Sequence, residues 1–244
     1  MDDHIKRTYG EHLSEVYDKW FESEAEAIEL LAGFARGGRA LELGIGTGRM
    51  ALPLAAKGIE VEGIDAAPAM VAKLRERSGS ESIKVTMGNF ADVDVTGKFN
   101  LIFIVFNTFY ALLTQEEQVR CFRNVAEHLT DDGVFVLEAF VPDVARFSGG
   151  HNLRVYAVNY ERASLQAAQH DPVLQRMFTQ NIVFTEAGVN LYPVEIRYAW
   201  PTELDLMAQL AGLKLRSRWA NWKQETFSGT SEKHVSVYER QSQS

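Results

Sequence analysis

The stretch Ala40-Leu41-Glu42-Leu43-Gly44-Ile45-Gly46-Thr47-Gly48-Arg49 reads as a short apolar strand that runs into a glycine-rich turn and opens a helix. Without Cβ atoms, Gly44, Gly46 and Gly48 accept positive φ and let a ligand lie against bare backbone. The helix beyond, read over 47–57 with its stop at Gly58, turns unpaired N–H groups to the same spot, which suits a carboxylate or phosphate. Seventeen residues after Gly48, a second strand over 59–64 ends in Asp65. An acid at that tip is where ribose hydroxyls are gripped. Turn and acid together predict a nucleoside-containing cofactor in an α/β sheet.

Downstream, a helix opens near Pro68 with Met70, Val71 and Leu74 as its buried stripe, and 83–87 reads as a third strand. Residues 101–106 are continuously apolar, as a strand covered on both faces requires, and end in Asn107-Thr108-Phe109-Tyr110. Thr114 and Glu117 form a capping box for a helix burying Val119, Phe122, Val125 and Leu129. Asp131-Asp132-Gly133 reads as a turn before a fifth strand over 134–140.

From about residue 146 the pattern changes. Strands are expected at 153–160, 177–185 and 189–198, with 162–169 either a strand or a short helix. This is an antiparallel insertion over about 146–199, suited to covering a pocket or to pairing across a symmetry axis into a homo-oligomer. Pro201 opens a helix that stops at Gly212, and 213–219 with 234–238 form an antiparallel edge.

Upstream, Leu13, Val16, Tyr17, Trp20 and Phe21 share one helix face, and Tyr9 and Tyr17 bring hydroxyls to a greasy surface. Ser23 with Glu26 forms a second capping box, for a helix with Ile28, Leu31, Phe34 and Ala35 inward. Residues 5–36 thus suit a helical lid, by packing on the core or by closing over the cofactor.

With 244 residues, 46% of them hydrophobic, the chain suits one domain with an insertion. A net charge of −8 opposes a nucleic-acid partner. Cys121 is the single cysteine, so no disulfide framework or cysteine metal site is expected, and no His, Asp or Glu spacing suits a metal. The start, Met1 to Arg7, is charged and unlike a secretory signal, and no apolar run reaches the length of a membrane span. A cytoplasmic protein without a membrane partner is the expectation.

A dinucleotide fingerprint needs a third glycine where Arg49 stands. The spacing Glu42-x-Gly44-x-Gly46-x-Gly48 instead resembles the first motif of the class I S-adenosylmethionine-dependent methyltransferases. Asp65-Ala66-Ala67-Pro68-Ala69-Met70 resembles their second, Gly88-Asn89-Phe90-Ala91-Asp92 their adenine-binding motif, and residues 99–106 their fourth strand. Asn89 departs from the usual acid there but accepts the same hydrogen bond. The resemblance implies a Rossmann-like α/β fold: a seven-stranded, mostly parallel sheet with an antiparallel last strand, here with the β insertion after the fifth. It implies S-adenosyl-L-methionine as cofactor and S-adenosyl-L-homocysteine as product. The residues it assigns to the cofactor are Tyr17, Glu42, Gly44, Gly46, Gly48, Arg49, Asp65, Ala66, Met70, Asn89, Phe90 and Phe106.

Methyl transfer is an in-line displacement, so the protein must orient the acceptor, exclude water and tolerate a moving positive charge. Aromatic faces suit the last task. The N-terminal tyrosines, the Phe-Asn-Thr-Phe-Tyr strand end and the insertion resemble small-molecule N-methyltransferases of antibiotic pathways, acting on amino sugars or a lincosamide amine. That resemblance puts Tyr9, Tyr17 and Phe109 in the catalytic pocket as residues orienting an amine. Trp20, Asn107, Tyr110, Glu138, His151 and Tyr156 are candidate contacts to the substrate. An amine acceptor needs desolvation more than a base, whereas a hydroxyl acceptor would call on a base such as His151 or His170. The rivals are a small-molecule O-methyltransferase, a nicotinamide-dependent oxidoreductase and a non-catalytic nucleoside-binding module.

Overall fold

The computed structural model describes Ser14 and residues 24–241; of the expected lid, residues 5–13 and 15–23 lie outside them, and with these the helix face over 11–22 apart from Ser14. Helix α1 (Ala25–Ala35) buries Ala27, Ile28, Leu31 and Ala35. Its N-cap is Glu24, with extended backbone and no side-chain bond; Ser23, half of the capping box expected with Glu26, lies outside the described residues. The chain then alternates: β1 (Arg39–Leu43), α2 (Ala51–Ala56), β2 (Glu60–Asp65), α3 (Pro68–Arg75), β3 (Lys84–Met87), β4 (Phe99–Ile104), α4 (Gln115–His128) and β5 (Leu129–Phe140). After the insertion, described next, come α5 (Pro201–Leu210), β10 (Leu213–Trp219) and β11 (Lys233–Arg240).

The main sheet has seven strands in the order β3-β2-β1-β4-β5-β11-β10. Only β11 runs against its neighbours. The winding reverses at β1, which pairs with both β2 and β4, so a crevice opens at the carboxyl ends of β1 and β4. Residues 101–104 of β4 are apolar because both faces are covered there: Ile102 and Ile104 join the cluster around Phe109, Phe122 and Tyr238, while Leu101 and Phe103 join that around Leu31 and Val136.

Local readings need correction at two places. Helix α2 starts at Ala51 rather than 47, because Gly48 at φ +75° keeps the turn open for longer. The sequence Asp131-Asp132-Gly133 is not a separate turn but part of β5, which pairs Leu129 with Phe99 and resumes at Val134 with Leu101 after an irregularity. The capping box at Thr114 forms, its Oγ1 accepting from the Glu117 N–H.

The insertion is a separate antiparallel sheet of four strands, β6 (His151–Val158), β7 (Arg162–Asp171), β8 (Arg176–Thr185) and β9 (Gly188–Arg197), paired in sequence order. The ambiguous 162–169 stretch is thus a strand. Its base is bolted to the main domain by buried polar bonds. Gln118 Nε2 donates to the carbonyls of Arg197 (2.8 Å) and Leu112 (3.1 Å), and Arg197 pairs with Glu203 at 2.8 Å. Tyr110 Oη donates to the Ala199 carbonyl at 2.9 Å.

Another buried polar group lies on β11. Arg218 Nε donates to Ser236 Oγ at 2.8 Å, and the same hydroxyl lies 2.9 Å from Nδ1 of His234, within hydrogen-bond distance. Burial, and secondarily the charge of Arg218, push the His234 pKa from 6.5 down to about 3. Between those values the unfolded chain binds the proton and the folded chain does not. Stability from this group is therefore full above the unfolded pKa and falls as the solution is acidified. The loss is about 2 kcal/mol on going from pH 6.5 to pH 5. Urea unfolding at both pH values checks it: His234→Gln should show a pH dependence shallower than wild type by that amount.

Candidate active site

The glycine turn, the end of β2 and the end of β4 converge on the crevice. Asp65 closes the first two on each other: Oδ2 accepts from the Gly46 N–H at 2.7 Å and Oδ1 from the Ala67 N–H at 2.8 Å. Each oxygen keeps a lone pair for a further donor. Gly46 has φ +54°, and a Cβ there would meet only the Met70 methyl at 3.4 Å, so its outward face is open for a ligand. Gly48 is a glycine for another reason: a Cβ there would lie 2.2 Å from Leu74 Cδ1, so its absence lets α3 sit against the turn.

Glu42 on β1 is 3% exposed, and its Oε2 has no hydrogen-bond partner among the described residues. Burial holds its carboxyl well above the usual range; Arg49 opposes the shift and Asp65 adds to it. Burial also raises Asp65, against the pull of the backbone N–H groups of Ala67, Gly46 and Ala66. A corner with two buried carboxyls, one holding an orphaned oxygen, favours a cationic ligand. A donor with a sulfonium and an ammonium group fits that corner, and bare backbone beside it leaves room.

At the end of β4 the backbone bends sharply. Phe106 and Asn107 are both left-handed, at φ 56° and 64°, conformations that cost non-glycine residues about 1–3 kcal/mol each. Partners hold the bend. Glu138 Oε2 accepts from the Phe106 N–H at 3.1 Å, and Asn107 Oδ1 accepts from the Phe140 N–H at 2.6 Å. Arg49 lies over the Phe106 ring, its Cζ 3.3 Å from the centroid.

The bend corrects several expected substrate contacts. It turns Thr108 toward the glycine loop, where its Cγ2 lies 2.5 Å from where a Gly44 Cβ would be. Phe109 is wholly buried instead, edge-on to Phe122 at 5.4 Å, so it supports the wall rather than facing an acceptor. Tyr110 is likewise enclosed, its hydroxyl spent on Ala199 and Phe140. Glu138 does not hold a free ammonium: Oε1 accepts from Trp222 Nε1 at 3.0 Å and pairs with Lys233 at 3.4 Å. His151 is exposed on β6, its Nδ1 2.9 Å from the Gly149 carbonyl, and Tyr156 is 53% exposed with its hydroxyl donating to Gln166.

Ala66 is half-buried and Met70 buried beside the turn. Asn89 Oδ1 accepts from the Ala91 N–H at 2.9 Å, and Phe90 is in the core at 6% exposure. Tyr9, Tyr17 and Trp20 lie outside the described residues. Among the described residues, Thr108, Trp222 and Lys233 were not anticipated. Thr108 had a signal in its place next to Asn107; the other two had none, being far along the chain.

A parallel sheet with a reversed strand next to its edge and a glycine-and-acid crevice defines the class I methyltransferase fold. The chain matches the methyltransferase-domain family over residues 40–133. It is similar to the CcbJ methyltransferase from Streptomyces caelestis at 36% identity, with a TM-score of 0.91 over 97% of this chain and 99% of that one. It is 26% identical over 202 residues, 82% of each chain, to the cypemycin N-terminal methyltransferase of a Streptomyces species. SAM-bound CalS10, an amino pentose methyltransferase from Micromonospora echinaspora, shares the fold at 23% identity and TM-score 0.70, over 94% of this chain and 97% of that one. The chain belongs to the S-adenosylmethionine-dependent methyltransferases. Among its described residues no helix is long and apolar enough to cross a membrane.

Proposed function

We propose that this enzyme methylates an amine nitrogen on a small natural-product intermediate, in the cytoplasm. In this reading the turn at Gly44, Gly46 and Gly48, with Glu42, Arg49, Asp65, Ala66, Met70, Asn89 and Phe106, holds the donor. Tyr9, Tyr17 and Trp20 orient the acceptor, residues 5–36 close over the site, and residues 146–199 cap it. When bound, the donor supplies the methyl group; the chain's own residues orient the amine and exclude water.

The observation that carries the amine reading is how the described bases are engaged. His170 Nε2 lies 2.9 Å from Tyr198 Oη, and His128 is bonded to the carbonyls of Asn124 and Val95. His234 stays neutral in the core, His151 stands exposed on the insertion, and Glu138 is taken up by three donors. An amine reacts once its own proton is lost, which an apolar enclosure promotes, whereas a hydroxyl needs a base. The cypemycin enzyme's name, which specifies an N-terminus, supports the same acceptor class.

A pH–rate profile across acceptors of different basicity tests this. The rate should rise with pH through a pKa that moves with the acceptor. A pKa that stays constant across acceptors and disappears on replacing His151 or His170 would instead favour O-methylation.

A further inference from the structure

We propose that Arg146 reads a carboxylate on the acceptor, so that the substrate is an amine that also carries an acid group. For the reacting nitrogen this rests on the amine reading above; for the acid it does not. Position comes first. The Phe140 N–H at the end of β5 is tied to Asn107 Oδ1 at 2.6 Å, so the chain leaves β5 at the bend beside the donor crevice. Arg146 lies six positions on, in the link to β6, and segments beyond the carboxyl ends of such strands are where this architecture binds ligands. Local bonds fix the link. Asp143 Oδ1 accepts from the Ala145 N–H at 3.2 Å, and the Arg146 carbonyl accepts from Asn152 Nδ2 at 2.9 Å. The guanidinium then lies at the base of the insertion: its Cζ is 4.9 Å from the centre of the Phe147 ring, and one terminal nitrogen is 3.7 Å from Met177 Sδ. Met177 belongs to the buried cluster that holds Tyr198, Phe109 and Tyr110, so this cation stands where the insertion meets the main domain.

What the guanidinium lacks is an acid. Its Nε is buried with no hydrogen-bond partner, and its one described hydrogen bond goes to a thioether, a weak acceptor. Arg197 and Arg218, also enclosed, are each paired with a carboxylate, Glu203 at 2.8 Å and Asp205 at 2.6 Å. A guanidinium keeps its charge at any working pH, so drawing it partly out of water without such a partner costs free energy that a bound anion would return. The surroundings agree. Alternation and register put Ala168, His170, Met177 and Thr179 on the inner face of the insertion. The same count places Arg154 and Arg162 there and no Asp or Glu, in a chain of net charge −8. An anion is therefore drawn to this face and repelled by most of the remaining surface. The planar fork of Arg146 suits the two oxygens of a carboxylate, and the Phe147 ring with the Met177 thioether gives an apolar flank for the carbon that bears it.

The test is calorimetric titration of benzoate and of benzamide into the full chain loaded with S-adenosyl-L-homocysteine. Benzoate offers a carboxylate and a flat ring; benzamide keeps the shape without the charge. Wild type and Arg123→Met, an exposed control on α4, should bind benzoate with a roughly millimolar Kd and benzamide about tenfold more weakly or worse. Arg146→Met should lose the preference, its benzoate affinity falling roughly tenfold or more, with circular dichroism and donor affinity unchanged. Arg146→Lys keeps the charge without the fork and should recover only part of the binding; it is read in the same way should Arg146→Met fail to fold. Benzoate that binds Arg146→Met as tightly as wild type overturns the proposal. So does a wild type that binds the two ligands alike, or neither. Benzoate carries no amine, so these results stand apart from the pH–rate profile: an acceptor-independent pKa there would overturn amine methylation and leave the acid subsite in place.

Discussion

Replacing Asp65 with Ala is expected to weaken S-adenosylmethionine binding by about 3 kcal/mol, roughly a hundredfold. The loss has two sources. The first is direct: in the proposed donor site the carboxylate's remaining lone pairs would accept from the ribose hydroxyls. The second is structural. Asp65 is the group that holds the Gly46 and Ala67 N–H groups at 2.7 and 2.8 Å, so its removal frees the glycine turn from the end of β2. Asp65→Asn should also be poor, because its single amide oxygen satisfies one of the two N–H groups while its NH₂ faces the other. Calorimetric titration with the donor checks both, and an affinity unchanged in Asp65→Ala would remove the residue from the site.

The second large effect is expected at Glu138. Three donors converge on its carboxylate: the Phe106 N–H, Trp222 Nε1 and the Lys233 ammonium, which is also paired with Glu24 at 3.0 Å. Glu138→Leu leaves these donors without their acceptor, next to a bend whose two left-handed residues are already costly. A loss of about 3–5 kcal/mol follows, with Tm lower by about 10 °C. Glu138→Gln keeps an acceptor for the Phe106 N–H and should recover part of both. Thermal unfolding of the two variants reads this out. Donor affinity adds a readout a purely structural role would not move selectively: Glu138→Gln should bind the donor more weakly even at temperatures where it is fully folded, because the Phe106 bend lies beside Arg49.

The glycine turn and Asp65 were legible in the sequence because their chemistry is local: positive φ selects glycine, and an acid at a strand tip stands out in an apolar run. The insertion was legible from short strand-like runs bounded by turn residues at Gly149-Gly150, His170-Asp171-Pro172 and Gly188, with no helix-length period among them. The end of β4 was not. A strand's period of two predicts which side Phe109 faces, but the two consecutive left-handed residues break that period, so Thr108 takes the place at the glycine loop and Phe109 goes to the core. Those conformations are held by Glu138 and Phe140, some thirty positions away, and no local pattern records them. The same holds for Trp222, 84 positions from the carboxylate it donates to. The acidic pair at 131–132 misled for the opposite reason. Its turn propensity was local and real, but the pairs that flank it, Leu129 with Phe99 and Val134 with Leu101, keep it within β5 as an irregularity.

A crystal structure of the full chain with S-adenosyl-L-homocysteine tests the assignment of the crevice most directly. Ribose hydroxyls on the Asp65 carboxylate, with the amino-acid end of the ligand against Gly44, Gly46 and Gly48 and beside Glu42, is the expected result. A nucleoside bound elsewhere, with that corner filled by the protein's own side chains, would contradict it.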